Sequence, residues 1–292
     1  MQFFHFRPAV YRLQSCLALL AFMPLVAANA AYAQTAAAEH LVWSDEFSGP
    51  SAVPNPANWT YDVGGGGWYN KELETYCAPT TDKPPCMPAQ PNAFVAPDGF
   101  LHITARRNAG GEWTSARMVS KGLQSFQYGR IEARIKIPAG PGVWPAFWMM
   151  GDDSGTNYWP GCGELDIMEN IGGEPATIHG SIHGPGMTGM SLGKSYQLPT
   201  GANFAAGFHT FGLIWSPGKV QYYVDDPANP YATFTPADIP AGAKWPFDQG
   251  KFYFLLNFAV GGGWPGNPTA ATASPNEMLV DYVRVYQTAT KP

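Results

Sequence analysis

The sequence predicts an all-β protein, and three features carry that prediction. Charged residues make up only 13% of the 292, while Gly (33) and Pro (28) are abundant, a balance suited to many short strands joined by turns. Apolar and polar residues alternate with a period of two through several segments, as in strands with one buried face. Phe252–Val260 is instead apolar almost throughout, as in a strand covered on both sides. The length suits one large β domain with a sizeable core, and no solenoid repeat or second module follows residue 40. A net charge of -5 offers no basic surface, which argues against nucleic acid as a partner and suits a neutral polymer.

Residues 1–33 place Arg7 and Arg12 ahead of an apolar run (Leu17, Leu19, Leu20, Phe22, Leu25) and end in Ala31-Tyr32-Ala33. That is the order of a secretory signal cut after Ala33, so the mature protein is expected to be soluble, secreted or periplasmic, with no membrane association. Residues 34–40 read as a disordered lead-in, 41–288 as the folded domain and 289–292 as a tail. Cys16 leaves with the signal, and Cys77, Cys86 and Cys162 remain, an odd number that leaves one thiol over. Cys77 and Cys86 lie close enough to staple a surface loop, with Cys162 then free and buried; pairing of Cys162 with either stays open. No Cys/His cluster has zinc spacing.

Next comes a glycine loop, Gly64 to Gly67, leading into Trp68-Tyr69-Asn70, whose aromatic and amide groups suit sugar contact. Leu101, Ile103 and Ala105 alternate with His102, Thr104 and Arg106 as a half-buried strand. In 130–137, Ile131, Ala133, Ile135 and Ile137 face in, and Arg130, Glu132, Arg134 and Lys136 read as a wetted outer face. Residues 143–150 are apolar on both parities. With Phe147 and Met149 in the core, Trp144 and Trp148 face a binding cleft, where flat rings stack on the C–H faces of sugars. Residues 178–184 alternate again and form a hairpin with the preceding acidic strand across 171–175, which brings His183 within reach of the acids. Val220, Tyr222 and Val224 mark another half-buried strand, and Trp264, in the glycine-rich loop after Val260, reads as a contact at the cleft edge. In the last strand Asp281 shares the parity of Leu279, Val283 and Val285 and so points inward, where a carboxylate needs a partner.

The acids are in Glu164-Leu165-Asp166-Ile167-Met168-Glu169. Alternation sends Glu164 and Asp166 one way and Leu165 and Ile167 toward the core, and it would leave Glu169 on the wrong side. One extra residue, a β-bulge at Ile167 or Met168, restores the phase and gathers three carboxyl groups on one patch. Like charges that close cannot all stay ionised, so one holds a proton near neutral pH. A protonated carboxyl beside an ionised one is what acid and nucleophile work on a glycosidic bond requires.

Three stretches in one order carry a family resemblance: Leu41-Val42-Trp43-Ser44-Asp45-Glu46-Phe47, then Gly142-Val143-Trp144-Pro145-Ala146-Phe147-Trp148 with the acidic strand after it, then Val280-Asp281-Tyr282-Val283-Arg284-Val285-Tyr286. Over nearly the whole mature chain the sequence resembles glycoside hydrolase family sixteen, and within it bacterial laminarinase-like endo-β-1,3-glucanases. The resemblance implies a β-jelly-roll sandwich of two antiparallel sheets with a concave substrate cleft, and a monomer acting on a β-glucan by a retaining mechanism with no catalytic cofactor. It casts Glu164 as nucleophile, Glu169 as acid/base and Asp166 as the group between them, and it places Asn70 and Arg117 at the substrate. It also implies a structural Ca²⁺ away from the cleft, held by Asp281, Glu46 and the carbonyl of Gly99, with a salt bridge from Asp281 to Arg284 or Arg106 as the alternative. Mixed-linkage lichenases resemble a version without the extra Met168, so β-1,3-glucan is the expected substrate and mixed-linkage glucan a secondary one. Agarases and carrageenases share the bulge, but the segment from Asn257 to Gly262 looks more like the glucanases. Transglycosylation is a second fate of the same intermediate. The reading from another class is a sugar-binding sandwich without catalysis, against which both glutamates stand.

Overall fold

The computed structural model describes residues 38–49, 52–187 and 192–288. The expected signal, most of the lead-in and the tail lie outside them. In chain order the strands are β1 (Glu39–Asp45), β2 (Thr60–Asp62), β3 (Glu74–Tyr76), β4 (Ala93–Val95), β5 (Leu101–Arg107) and β6 (Trp113–Ser115). Then come β7 (Arg117–Val119), β8 (Ser125–Phe126), β9 (Gly129–Lys136), β10 (Val143–Gly151), β11 (Glu164–Glu169) and β12 (Thr177–His183). The last six are β13 (Gly193–Gln197), β14 (His209–Ser216), β15 (Lys219–Val224), β16 (Ala232–Phe234), β17 (Phe252–Val260) and β18 (Asn276–Thr288).

They build two stacked sheets, a β-jelly-roll. One is 10-stranded, ordered β16-β15-β14-β9-β18-β5-β6-β3 with β1 on β18 and β4 on β5; the other is 8-stranded, ordered β13-β12-β11-β10-β17-β7-β2 with β8 on β17. One pair departs from the expected antiparallel rule: β3 runs parallel to β6. The long connection between Tyr76 and Trp113, which opens with a loop closed by the Cys77–Cys86 disulfide and then holds β4 and β5, supplies the crossover that a parallel pair needs. Among the described residues Cys162 is the free thiol, and it is buried.

The core lies between the sheets. Phe147, Met149, Leu165, Ile167, Met168, Ile182, Phe254 and Leu256 from the smaller sheet pack with Leu101, Ile103, Ile131, Ala133, Phe211, Leu213 and Tyr222 from the larger. β17 is buried at every position, as its apolar run predicts.

Four expectations change. β1 begins at Glu39, inside the expected lead-in, because Glu39 pairs with Thr288 and its carboxylate accepts from Arg130 Nε at 2.7 Å. β5 is covered on both faces rather than one: Thr104 is fully buried, and His102 stacks on Phe94 of the neighbouring β4. The outer face of β9 is not simply wetted, since Glu132 is buried, ion-paired with Arg130 and bonded by the Tyr223 hydroxyl at 2.6 Å. In β18 the register shifts between Val280 and Tyr282, so the buried row runs Met278, Val280, Val283, Val285 and Asp281 is the residue left out of phase.

Gly180 on β12 marks how closely the sheets approach. A Cβ there would meet the Tyr231 hydroxyl at 2.4 Å and Tyr222 Cδ2 at 2.8 Å, and Tyr222 is held by its own bond to the Ser181 carbonyl at 2.7 Å. Gly180→Ala is expected to cost about 1–3 kcal/mol, read as a lower thermal midpoint. An unchanged midpoint would show that the sheets have room to spare.

Candidate active site

The site is set by register. Ala146 pairs with Glu169, Phe147 with Met168, Trp148 with Asp166 and Met150 with Glu164, and Ile167 has no partner on β10. On the other side Asp166 pairs with Ser181 and Glu169 with His179, again across a shift. Ile167 and Met168 both enter the core, and Glu169 returns to the face of Glu164 and Asp166. Directly opposed residues share a face, so rows run across the sheet. One row is Asp62, Arg117, Asn257, Ala146, Glu169 and His179; the next is Val119, Leu255, Trp148, Asp166 and Ser181; the third is Tyr253, Met150, Glu164 and His183.

The carboxyl groups are tightly grouped. His183 Nε2 lies 2.9 Å from Asp166 Oδ2 and 3.9 Å from Glu164 Oε1. Glu169 Oε1 accepts from the Trp144 indole at 3.0 Å. Burial first, then the charge of Asp166, pushes Glu164 up to about 8, while His183 and Arg117 pull it down. Burial pushes Asp166 up to about 7. Glu169 is held well above the usual carboxylate range by burial and then by both other acids. Three carboxyl groups whose protons are held toward the neutral range, beside a histidine and a guanidinium that favour the ionised form of Glu164, are equipped to divide general acid and nucleophilic work.

The remaining expected residues surround this cluster. Trp144 and Trp148 are half-buried on the cleft face, as their parity predicts, with Phe147 and Met149 in the core. Arg117 Nε bonds Asp62 at 3.1 Å, and its guanidinium lies over Trp148 at 4.8 Å and over Trp68 at 5.0 Å. Trp264 is half-buried, edge-on to Trp144 at 5.3 Å and against His179 at 5.0 Å. Asn70 is exposed on a turn in which Trp68, Tyr69 and Lys71 all have positive φ, and its carbonyl accepts from Gly263 at 2.8 Å. The glycine-rich segments thus form two touching rim loops.

The expected calcium cage is not assembled by its side chains. Both oxygens of Glu46 accept from Arg284, at 2.9 and 2.8 Å, and Asp281 Oδ2 accepts from Arg134 at 2.6 Å. The bulge that turns Asp281 out of the core also hands it to Arg134, which is neither of the two arginines anticipated. Gly99 sits in a turn closing onto the Ala96 carbonyl at 3.0 Å with φ +84. Two carboxylates already neutralised by guanidinium groups do not fit a hard cation's site.

Some residues escape a reading of the sequence. Asn257 accepts from the Trp148 indole at 2.7 Å; a lone amide on the platform parity of an apolar strand was its signal. Trp159, exposed in the loop before β11, stands 6.2 Å from the His183 ring, and nothing in the sequence pattern sets it apart. Glu72 and Glu74 are buried behind the rim, with the same i, i+2 spacing of acids as Glu164 and Asp166.

Paired half-buried carboxyl groups with aromatic platforms on one face of a jelly-roll define a glycoside hydrolase. The comparisons agree. The family model described as glycosyl hydrolases family 16 matches residues 86–284. Over 260 residues the chain is 41% identical to the beta-glucanase of Rhodothermus marinus, covering 85% of each. It is similar in structure to the catalytic domain of an endo-1,3-beta-glucanase (laminarinase) from Thermotoga petrophila RKU-1, with 39% identity, a TM-score of 0.76 and coverage of 87% of this chain and 100% of that one. The endo-beta-1,3-glucanase of Pyrococcus furiosus gives 42% identity, a TM-score of 0.76 and coverage of 87% and 96%. The chain belongs to glycosyl hydrolase family 16.

The raised acids carry a stability signature. Glu164 ordinarily titrates at 4.5 and here near 8, so it binds its proton more tightly when folded. That contribution is full below the ordinary value and is lost as pH rises through about 8. Glu164→Gln, uncharged throughout, is therefore expected to gain thermal midpoint over the wild type as pH goes from 5 to 9. A difference that stays constant with pH would contradict the burial argument.

Proposed function

We propose that the protein hydrolyses internal β-1,3-glucosidic bonds of a β-glucan with retention of anomeric configuration. One observation carries the reading: the shift at Ile167–Met168 that returns Glu169 to the face of Glu164, in a chain so similar to laminarinases. Glu164 attacks the anomeric carbon as the glycosidic bond breaks, and Glu169 gives its proton to the departing oxygen. Water then attacks the glycosyl-enzyme, Glu169 takes the water's proton, and Glu164 leaves as a carboxylate. Burial and then the charge of Asp166, which lies 2.9 Å from His183, favour the protonated form of Glu169 in the free enzyme. Trp144, Trp148 and Trp264 offer faces for sugar rings, and Arg117 and Asn70 offer donors for hydroxyls.

The same proposal includes export of a monomer. The signal-like order of residues 1–33 supports export, as does the Cys77–Cys86 disulfide, a bond favoured in oxidising compartments. Mixed-linkage β-1,3-1,4-glucan is the secondary substrate. On laminarin, Glu164→Gln is expected to lower kcat by at least about a thousandfold while glucan binding, followed by tryptophan fluorescence, persists. A Gln variant that releases reducing ends at a rate near the wild type's would refute the assignment.

A further inference from the structure

Behind the rim loops lies a second pair of buried acids, which the acid chemistry above leaves unused. We propose that Glu72 and Glu74 share one proton as a carboxyl–carboxylate pair, and that this pair positions the Trp148 platform and both rim loops, so that its integrity sets affinity for the glucan chain. The proposal rests on the family reading, since it concerns the same cleft.

Glu72 is 7% exposed and Glu74 1%. Glu74 Oε2 accepts from the Val260 amide at 2.7 Å, but Glu74 Oε1 is buried with no donor on it. The acid whose charge adds to burial in raising this carboxyl is Glu72, itself an acceptor from Asn70 and Tyr76. A proton between the two satisfies the orphaned oxygen and removes a buried like-charge pair. Burial, then Glu72, holds Glu74 well above the usual carboxylate range, in keeping with that proton.

From the pair, hydrogen bonds run to the cleft. Glu72 Oε1 accepts from the Asn70 amide at 2.8 Å and Oε2 from the Tyr76 hydroxyl at 2.9 Å. The Tyr76 hydroxyl accepts from Asn257 Nδ2 at 3.1 Å, and Asn257 Oδ1 accepts from Trp148 Nε1 at 2.7 Å. Trp148 stands opposite Asp166. Both rim loops are gripped as well: Asn70 belongs to one, and Val260 is the last residue of β17 before the loop that carries Trp264. The ionisable groups facing the pair are Tyr76 on β3 and Arg117 on β7, Arg117 being ion-paired with Asp62 of β2. β6 and the 257–260 end of β17 carry no charged residue. Glu72 and Glu74 are positioning residues, since they reach the sugar only through others.

The test is the pH dependence of KM on laminarin for the wild type, Glu74→Gln and Glu74→Leu, with thermal midpoints followed in parallel. As pH rises the shared proton is lost, two carboxylates repel and the wild-type KM is expected to climb by about tenfold, whereas kcat follows the catalytic acids. Glu74→Gln, whose amide donates to Glu72 at every pH, keeps a low KM across the range. Glu74→Leu has a raised KM at all pH values. A wild-type KM flat with pH, or a Glu74→Gln variant that reproduces the wild-type climb, overturns the proposal. If Glu74→Leu fails to fold, the comparison of wild type with Glu74→Gln still decides. Failure of the wild type to release reducing ends from laminarin would instead defeat the family reading.

Discussion

The active face depends on a mismatch of one residue between β11 and its neighbours. A strand cannot place Glu164, Asp166 and Glu169 on one side by alternation, since 164 and 169 differ by an odd number. Placing both Ile167 and Met168 in the core absorbs the difference. The apolar identity of those two residues therefore does as much for the chemistry as the acids do. A polar residue at either position would enter the apolar core between the sheets.

The price of the arrangement is three carboxyl groups crowded into one patch, Asp166 buried and the two glutamates half-buried. Burial raises all of them, and the cluster offsets part of that cost by keeping protons and by bringing His183 and Arg117 to bear on Glu164. The rigidity that holds like charges together comes from behind and beside the patch. Tyr222, fully buried on the opposite sheet, bonds the Ser181 carbonyl on the strand next to the acids. Asn257 on β17 fixes Trp148, and Trp144 fixes Glu169. At Trp144 platform and acid are thus hydrogen-bonded to each other: a ring that would seat the sugar also orients a group that cleaves it.

Much of this was legible in the chain. The alternation in 143–150 assigns Trp144 and Trp148 to one face and Phe147 and Met149 to the other, and the structure keeps that division because a period-two pattern admits no other. The hairpin of β11 and β12 sets His183 opposite Glu164 for the same reason. Long-range events were less visible. The bulge at Asp281 moves the buried row from 278 and 280 to 283 and 285, and simple parity from the far end of β18 misreads it. Glu132 looked exposed because its partners, Arg130 and Tyr223, reach it from its own strand and from β15, two strands away. Glu72 and Glu74 follow a glycine loop, where acids are ordinarily solvated, and the groups that meet them there, the Tyr76 hydroxyl and the distant Val260 amide, are brought in by the fold.

The central claim is that the kink in β11 presents Glu164 to the anomeric carbon with Glu169 as its partner. It is tested most directly by trapping the intermediate with an activated 2-deoxy-2-fluoro laminaribioside and locating the sugar by mass spectrometry of peptides. The account places the adduct on Glu164. An adduct on Asp166 or Glu169 would contradict it.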